Sequence, residues 1–392
     1  NGVTTIGSGA FQNCSSLTSL TIPDSVTFMG SGVFAGCSSL TNVAIPNSVT
    51  SIGEYVFYGC SSLTSVSIPD SVTSIDSSAF MECSSLTSVT IPDSVTTIGN
   101  SAFYRCSSLT NVTIPDSVIY IGNSAFNKCS SLMNVTIPVN VTSIGNSAFA
   151  DCSSLTEIQV SVGNAVYSSE DGMLFNKDKT DLICYPAGKM ETSHEIPRSV
   201  TWIGFYAFEG NNNLTNVTIP DSVMSIGKYA FCGCSNLTSV TIPVSVTTIG
   251  SSAFSECSSL TSITLLNAGT SIGWGAFDGC SSLTDVYYGG DEDDWNSIMI
   301  GSNNDYLTSA TIHYNSTGPE DETGDSTSGD LNGDGEVDAS DLTVLARHVG
   351  KVETMEDETA LANADVTGDG NVDASDLTML AQYVGKIISA LD

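Results

Sequence analysis

The chain has 392 residues, of which 41% are hydrophobic, so it is long enough for more than one compact domain and can bury a core. Lys and Arg total 10 against 43 Asp and Glu, which gives a formal net charge of −33. This charge disfavours nucleic acid and anionic membrane surfaces as partners and favours cations. Because no stretch of about 18 consecutive apolar residues occurs, the sequence predicts no membrane insertion.

A 23-residue repeat dominates most of the chain. The pattern A-F-x-x-C-S-S-L-T-x-V-x-I-P-x-S-V-T-x-I-G recurs, and we expect further sequence upstream because the chain opens inside one unit. In one representative unit, Val89 and Ile91 are predicted to point inward and Thr90 outward, and Pro92 ends the strand. Stacking of such coils at about 4.8 Å predicts a solenoid on the order of 50 Å long. Eleven units carry the phenylalanine of the pattern, namely Phe11, Phe34, Phe57, Phe80, Phe103, Phe126, Phe149, Phe208, Phe231, Phe254 and Phe277.

These repeats resemble leucine-rich repeats of the bacterial surface-antigen (BspA-like) type over about residues 1–314. The resemblance implies a mostly β, leucine-rich-repeat solenoid outside the cell that serves adhesion or protein contact, and it does not imply a reaction. Phe149 and Phe208 are 59 residues apart, which is 36 more than one unit, so an insertion containing a β-hairpin is predicted at about 157–193. A C-terminal cap with a short acidic helix around Asp294 and Trp295 is predicted at about 287–314, because an open solenoid end exposes core and strand edge.

Ten of the twelve cysteines share one register between an inward Phe and an inward Leu. Neighbours stacked near 5 Å could reach each other, but their parallel Cβ vectors would strain a disulfide, so we expect packed, reduced thiols in this ladder. The state of Cys184, Cys232 and Cys234 stays open.

The two residues after each Phe vary from unit to unit. Variation along one edge of a solenoid is typical of an interaction surface, and drift of an unconstrained loop would look the same, so both interpretations stand. The stacked outward threonines form a hydroxyl array that could bind ice or a polysaccharide surface, but the suitability of Thr for a solvent-facing strand is the favoured explanation. The variable pairs are Tyr58-Gly59, Met81-Glu82, Tyr104-Arg105, Asn127-Lys128 and Glu209-Gly210.

Catalysis finds little support in the sequence. His194, His313 and His348 fall in three different structural contexts, and the many serines belong to the repeated Cys-Ser-Ser-Leu turn. We therefore predict no enzyme. Two alternatives remain, namely a fragment of an enzyme whose catalytic domain lies upstream and a free-standing surface adhesin.

A polar, acidic linker at 315–329 leads into a duplicated segment. Two twelve-residue loops of EF-hand spacing start 35 residues apart, and each has a Gly, Gly335 or Gly370, at the sharp bend. Because Ca²⁺ takes six to eight hard oxygen ligands, the loops predict two calcium ions. The predicted ligands are Asp330, Asn332, Asp334, the backbone carbonyl of Glu336, Asp338 and Asp341 in the first loop. In the second loop they are Asp365, Thr367, Asp369, the backbone carbonyl of Asn371, Asp373 and Asp376.

This segment resembles a type I dockerin, because the linker runs directly into the first loop and both loops have Asp at position twelve. The resemblance implies a small all-α module over 330–392, calcium-dependent binding to a cohesin module of a scaffoldin, and a secreted, scaffold-attached or cell-surface-attached protein. The solenoid would contact an unidentified protein or polysaccharide. The cohesin contacts implied for the first half are Ala339, Ser340, Leu342, Leu345, Ala346 and Arg347. Those implied for the second half are Ala374, Ser375, Leu377, Leu380, Ala381 and Gln382.

Overall fold

The computed structural model describes residues 2–319. The chain divides into two units, Asn1–Asn315 and Ser316–Asp392, and the regular secondary structure of the first consists of short β-strands, joined mostly by turns, and two short helices. Its strands are β1 (Thr5–Ile6), β2 (Ser19–Thr21), β3 (Phe28–Met29), β4 (Asn42–Ala44), β5 (Ser51–Ile52), β6 (Ser65–Ser67), β7 (Ser74–Ile75), β8 (Ser88–Thr90), β9 (Thr97–Ile98), β10 (Asn111–Thr113), β11 (Tyr120–Ile121), β12 (Asn134–Ile137), β13 (Ser143–Ile144), β14 (Glu157–Val160), β15 (Tyr167–Glu170), β16 (Met173–Asn176), β17 (Asp181–Cys184), β18 (Ser193–Glu195), β19 (Trp202–Ile203), β20 (Asn216–Thr218), β21 (Ser225–Ile226), β22 (Ser239–Ile242), β23 (Thr248–Ile249), β24 (Ser262–Leu265), β25 (Ser271–Ile272), β26 (Asp285–Tyr288) and β27 (Thr311–Tyr314). The helices are α1 (Glu292–Ser297) and α2 (Asp305–Thr308).

Each coil contributes a strand of three or four residues to one parallel ladder and a strand of two residues to a second. The register follows the repeat, since Val66 pairs with Val89 and Val89 with Val112. Val89 is buried between the exposed Ser88 and Thr90, which confirms the predicted alternation. The second short run of each repeat also pairs in parallel and forms a ladder of its own.

The third side of each coil is a column of turns that holds the phenylalanines in the core. Phe80, Phe103 and Phe126 stack with 5.2 Å between neighbouring ring centroids and almost parallel planes. Except after Phe11 and Phe208, the cysteine that follows each Phe packs beside this stack, and its Sγ donates to the carbonyl of a Phe in the preceding coil, as Cys106 does to Phe80 at 3.1 Å. The repeat therefore fixes aromatic and thiol columns that run side by side through the core.

The insertion interrupts the stack and covers the strand edge that the interruption leaves. Strand β14 still pairs in parallel with β12, so the predicted excursion departs from the ladder only after Val160. Strands β15 and β16 form the predicted antiparallel hairpin, and β17 then pairs in parallel with β19 to resume the second ladder. The hydroxyl of Tyr167 accepts a bond from the amide of Ile144 on the edge strand β13 at 2.8 Å, and Gly172 accepts one from Ile158. The hairpin thus provides hydrogen-bond partners for backbone groups that have no regular next coil to bond to.

The phenylalanine column resumes with a tyrosine. Tyr185 lies 23 residues before Phe208 in the sequence and stacks on it with 4.9 Å between the ring centroids. Asn211 then occupies the cysteine position, and its Nδ2 donates to the carbonyl of Tyr185 at 3.2 Å as the thiols do elsewhere. The buried apolar side chains accordingly form two clusters that divide within the insertion, since Leu174 belongs to the first and Phe175 to the second.

The C-terminal end of the solenoid is closed as predicted. Strand β27 adds in parallel to β26, and α1 begins with a capping box between Asp291 and Asp294. Leu307 of α2 and Tyr288 of β26 are fully buried and complete the second core cluster. No helix among residues 2–319 has the length and apolar character needed to cross a membrane.

Candidate binding edge of the solenoid

The predicted calcium ligands and cohesin contacts, from Asp330 to Gln382, lie outside the described residues and stay predictions. Their donor set consists of carboxylate, amide, hydroxyl and carbonyl oxygens, which are the ligands that Ca²⁺ prefers. Within residues 2–319, no group of three or more His, Cys, Asp and Glu side chains is arranged to hold a metal ion.

The variable positions after each Phe lie side by side along one edge of the solenoid. Glu82, Arg105, Lys128 and Asp151 follow one another in four successive coils and line an open groove of about 620 Å³. Serines of the same turns line it as well. Arg105 Nη1 is 3.5 Å from Glu82 Oε1, and Lys128 Nζ is 3.5 Å from Asp151 Oδ2. The four side chains remain 34–52% exposed, so these pairs add little stability and stay available to a partner.

The charged row occupies a backbone position that favours glycine. Gly36, Gly59, Gly210, Gly233 and Gly279 hold this position in other coils with φ between +66° and +75°. The four charged residues adopt the same left-handed conformation, with φ between +56° and +63°. This conformation costs roughly 1–2 kcal/mol for a residue with a Cβ. The groove therefore carries charged side chains at a place where the fold alone would be served better by glycine.

The turn column is broken where the insertion begins. The amides of Ser124, Phe126 and Lys128 donate to carbonyls of the next coil at 2.8–3.1 Å. Within residues 2–319, the matching bonds from the coil of Phe149 to the coil of Tyr185 are not formed, and no ring stacking joins Phe149 to Tyr185. A gap therefore opens in the edge between two otherwise regular stacks.

A polar pocket of about 370 Å³ lies at this gap, and we call it the notch. Its walls come from the coils of Phe103, Phe126 and Phe149 on one side and the coil of Phe208 on the other. The side chains that define it are Asn127, Lys128, Asn146, Ser147, Tyr206 and Glu209.

Hydrogen bonds across the gap fix the carboxylate of Glu209. Its Oε2 accepts from Ser147 Oγ at 3.2 Å and from Asn127 Nδ2 at 3.4 Å, although Asn127 is 82 residues away in sequence. Asn127 also donates to Ser147 Oγ and is almost fully buried. Burial, and then the nearby Asp151 carboxylate, raise the pKa of Glu209 above its usual value. The two halves of the solenoid thus meet in one polar network.

An aromatic ring forms the opposite wall of the notch. Tyr206 adopts a left-handed conformation with φ +61° and stacks on Tyr229 with 4.8 Å between the ring centroids and an angle of 4° between the planes. Tyr229 belongs to the next coil, so it covers the C-terminal face of the Tyr206 ring. Tyr206 lines the pocket together with Asn146 and Ser147.

The cysteines of residues 2–319 are free, and the predicted packed thiols are confirmed for most of the ladder. Cys184 and Cys234 are buried and Cys232 is partly buried, and all three of the open positions carry free thiols. Burial raises the pKa of Cys60 to about 12 and that of Cys106 well above its usual value, so these thiols are unreactive. Cys14 is an exception, because it is exposed.

The two described histidines lie on different strands. His194 of β18 packs against the rings of Tyr185 and Phe208, and burial lowers its pKa. Nε2 of His313, on β27, lies 2.9 Å from Oδ1 of Asp285, and the His313 ring stacks on the ring of Tyr287. The third histidine, His348, lies outside the described residues.

Sequence reasoning named Asn127, Lys128 and Glu209 as variable positions but did not bring them together, and it missed Ser147 and Tyr206. The available signal for Tyr206 is its place in the repeat, where most coils have Ser or Gly. The contact of Glu209 with Asn127 depends on the path of the insertion, which the repeat pattern does not contain.

Comparison with known proteins identifies both parts of the chain. The family model of the BspA type leucine-rich repeat region matches in six copies over residues 1–109, 73–188 and 184–299, and that of the dockerin type I domain matches 328–385. A search of curated protein sequences finds no match.

Solved structures give the same fold. A leucine-rich cell surface protein from Faecalibacterium prausnitzii is 36% identical, with 76% of this chain and 86% of that chain covered and a TM-score of 0.65. A leucine-rich repeat protein from Eubacterium ventriosum is 28% identical over 69% of this chain and 74% of that chain, with a TM-score of 0.53. The pneumococcal vaccine antigen PcpA shares the fold with a TM-score of 0.52. It is 20% identical, and 80% of this chain and 92% of that chain are covered.

Both matched modules are non-catalytic types that are typical of extracellular proteins, and type I dockerins bind calcium. The six repeat copies span more than half of the chain, and the 36% identical structure is covered over most of its length. The chain therefore belongs to the family of BspA-type leucine-rich repeat proteins and carries a type I dockerin domain after the repeats.

Proposed function

We propose that this protein is a non-catalytic component of a cellulosome-type assembly. Its dockerin binds a cohesin module of a scaffoldin, and its solenoid presents the variable edge to a protein or carbohydrate outside the cell. The observation that carries the proposal is the duplicated calcium loop within the dockerin match at 328–385. The charged groove supports the proposed role of the solenoid as a binding surface, because it retains exposed charged side chains at positions where glycine is less strained.

Two calcium ions would hold the dockerin together. Each loop brings several carboxylates into one turn, where they repel one another without a cation. The first loop, from Asp330 to Asp341, offers four carboxylates, and Thr367 of the second loop replaces an amide ligand with a hydroxyl. The ions would neutralise these charges and fix the loops, so that calcium removal unfolds the module and abolishes its contacts.

Calorimetric titration of the full chain with a panel of cohesin modules tests the proposal. Binding to at least one cohesin with calcium present, and loss of that binding in EDTA, are the expected results. If calcium binds but no cohesin does, the assignment to a scaffold is wrong.

The similarity of the two dockerin halves extends the proposal to two binding orientations related by about 180°. Introducing arginine at Ala339 and Ser340 should then leave cohesin binding largely intact, and so should the matching change at Ala374 and Ser375. The variant with all four substitutions should lose binding. Calcium affinity, measured in the same variants, controls for damage to the loops. Complete loss from either pair alone contradicts the two orientations.

A surface adhesin is the second candidate function, because the 36% identical protein is described as a leucine-rich cell surface protein. In that case the dockerin match would serve only to stabilise the end of the chain. Surface labelling of cells that express the protein, with and without a competing cohesin, separates the two. Release by soluble cohesin supports scaffold attachment, and retention supports the adhesin.

A further inference from the structure

The notch between the two stacks combines a partly exposed aromatic side chain with polar groups that are held by hydrogen bonds. It is defined by Asn127, Lys128, Asn146, Ser147, Tyr206 and Glu209. Its volume of about 370 Å³ falls in the usual range for small-molecule sites, and it is too small for a folded domain.

Its aromatic wall is held rigidly. Tyr206 stacks on Tyr229 through one face of its ring, and it lines the pocket. In five other coils a serine takes the same left-handed position, so the ring is not required for the turn itself. The face of an aromatic ring is electronegative and attracts the weakly positive C–H groups of a ring laid against it.

The polar wall offers both donors and acceptors at fixed positions. Oε2 of Glu209 is bound by Ser147 and Asn127, while its Oε1 has no hydrogen-bond partner within residues 2–319. Asn146 is exposed, and its amide side chain is likewise not hydrogen-bonded to the described residues. A carboxylate oxygen accepts hydrogen bonds and an amide both donates and accepts, which together suit hydroxyl groups.

The charges select against an anion. Lys128 is paired with Asp151 at 3.5 Å, so its positive charge is already balanced. Glu209 adds a negative charge close to that pair, and its raised pKa reflects burial and the Asp151 carboxylate. The polar lining also disfavours an apolar ligand, which would leave Glu209 and Asn146 without partners.

From this geometry we propose that the notch binds a neutral saccharide, whose C–H face lies on Tyr206 and whose hydroxyls bond to Glu209 and Asn146. The proposal rests on the function proposed for the solenoid and names its ligand class. The saccharide proposal does not depend on the dockerin, so failure of the saccharide proposal leaves cohesin binding testable, and failure of cohesin binding leaves the saccharide proposal testable.

Calorimetric titration of the full, calcium-loaded chain with soluble tetrasaccharides tests this. The probes are oligomers of glucose, xylose, mannose, galactose and N-acetylglucosamine, with a galacturonic acid oligomer as the anionic probe. We expect binding of at least one neutral probe and none of the anionic probe. Tyr206→Ser should weaken that binding about tenfold, which corresponds to the loss of about 1.4 kcal/mol of aromatic contact.

Tyr55→Ser is the matched control, because Tyr55 occupies the same left-handed repeat position outside the notch. It should leave saccharide affinity within twofold. Glu209→Gln, which keeps the side-chain shape, should weaken binding independently of Tyr206. Lack of binding by all neutral probes, preference for the anionic probe, or equal affinity of Tyr206→Ser and Tyr55→Ser overturns the proposal. Cohesin titration of the same variants should be unchanged, which separates this test from that of the dockerin.

Discussion

The break in the aromatic column predicts that equivalent phenylalanines contribute unequally to stability. Phe103 is fully buried and stacks on two rings, each at 5.2 Å between centroids. Phe149 is equally buried but stacks only on Phe126, at 5.6 Å, within the described residues. Substitution by leucine retains most of the apolar volume and removes the aromatic contacts.

The losses of stability in Phe103→Leu and Phe149→Leu should differ by the contribution of one stacked pair of rings. Each pair contributes about 0.5–1.5 kcal/mol beyond the burial of its area. Phe103→Leu should therefore lower the free energy of unfolding by about 0.5–1.5 kcal/mol more than Phe149→Leu. The loss of buried area and the small cavity are common to both variants, so they cancel in the comparison. Phe57→Leu, at another position with two stacked neighbours, should match Phe103→Leu.

Urea unfolding of the calcium-loaded chain, followed by circular dichroism, measures the difference. Repeat arrays can unfold in parts, so hydrogen exchange in the two coils provides an independent measure of local stability. Equal destabilisation by Phe103→Leu and Phe149→Leu would refute the reasoning, because it would mean that the column continues across the insertion or that stacking contributes nothing there.

Three further predictions concern backbone, charge and thiols. Gly59→Ala should lower the free energy of unfolding by about 1–2 kcal/mol through its φ of +66° alone, since a Cβ there meets nothing nearer than 3.8 Å. Gly99→Ala should cost more in the same urea assay, because its Cβ would lie 2.6 Å from backbone atoms of the preceding coil. Because the pKa of Glu209 is raised in the fold, the free energy of unfolding of the wild type should fall as the pH rises from the unfolded-state pKa of about 4.3 through the folded-state pKa. Unfolding curves across that pH window should show that Glu209→Gln removes this fall. An identical pH dependence of the wild type and Glu209→Gln would contradict the role of Glu209. Maleimide labelling of the native chain, read by peptide mass spectrometry, should modify Cys14 quickly and leave Cys106 unmodified, and rapid labelling of Cys106 would contradict the packed ladder.

The local features of one coil could be predicted from the sequence because each depends on neighbours at a fixed spacing. The alternation of Val89 and Thr90, the packed thiols and the cap helix near Trp295 are all confirmed. Two features depart from this regular pattern. Cys14 is exposed in the first coil, and residues 157–160 of the predicted insertion still belong to the first ladder.

The candidate site is less accessible to such reasoning. The repeat indicates that the positions after each Phe share an edge, and the structure places Glu82, Arg105, Lys128 and Asp151 in one groove there. It does not indicate that Glu209 reaches Asn127, because that contact requires the insertion to leave the stack and the next coil to return against it. The dockerin residues remain predictions from motif and family alone.

The sequence by itself determined the periodic part of this protein. A 23-residue period sets the register of two ladders, the phenylalanine and cysteine columns and the edge on which the variable residues lie, because in a stacked coil each residue contacts its equivalents one period away. The tertiary structure alone decided the aperiodic part, namely the break after Phe149, the return through Tyr185 and the notch closed by Glu209. These depend on where 36 extra residues run through space, and no fixed spacing in the sequence encodes that path.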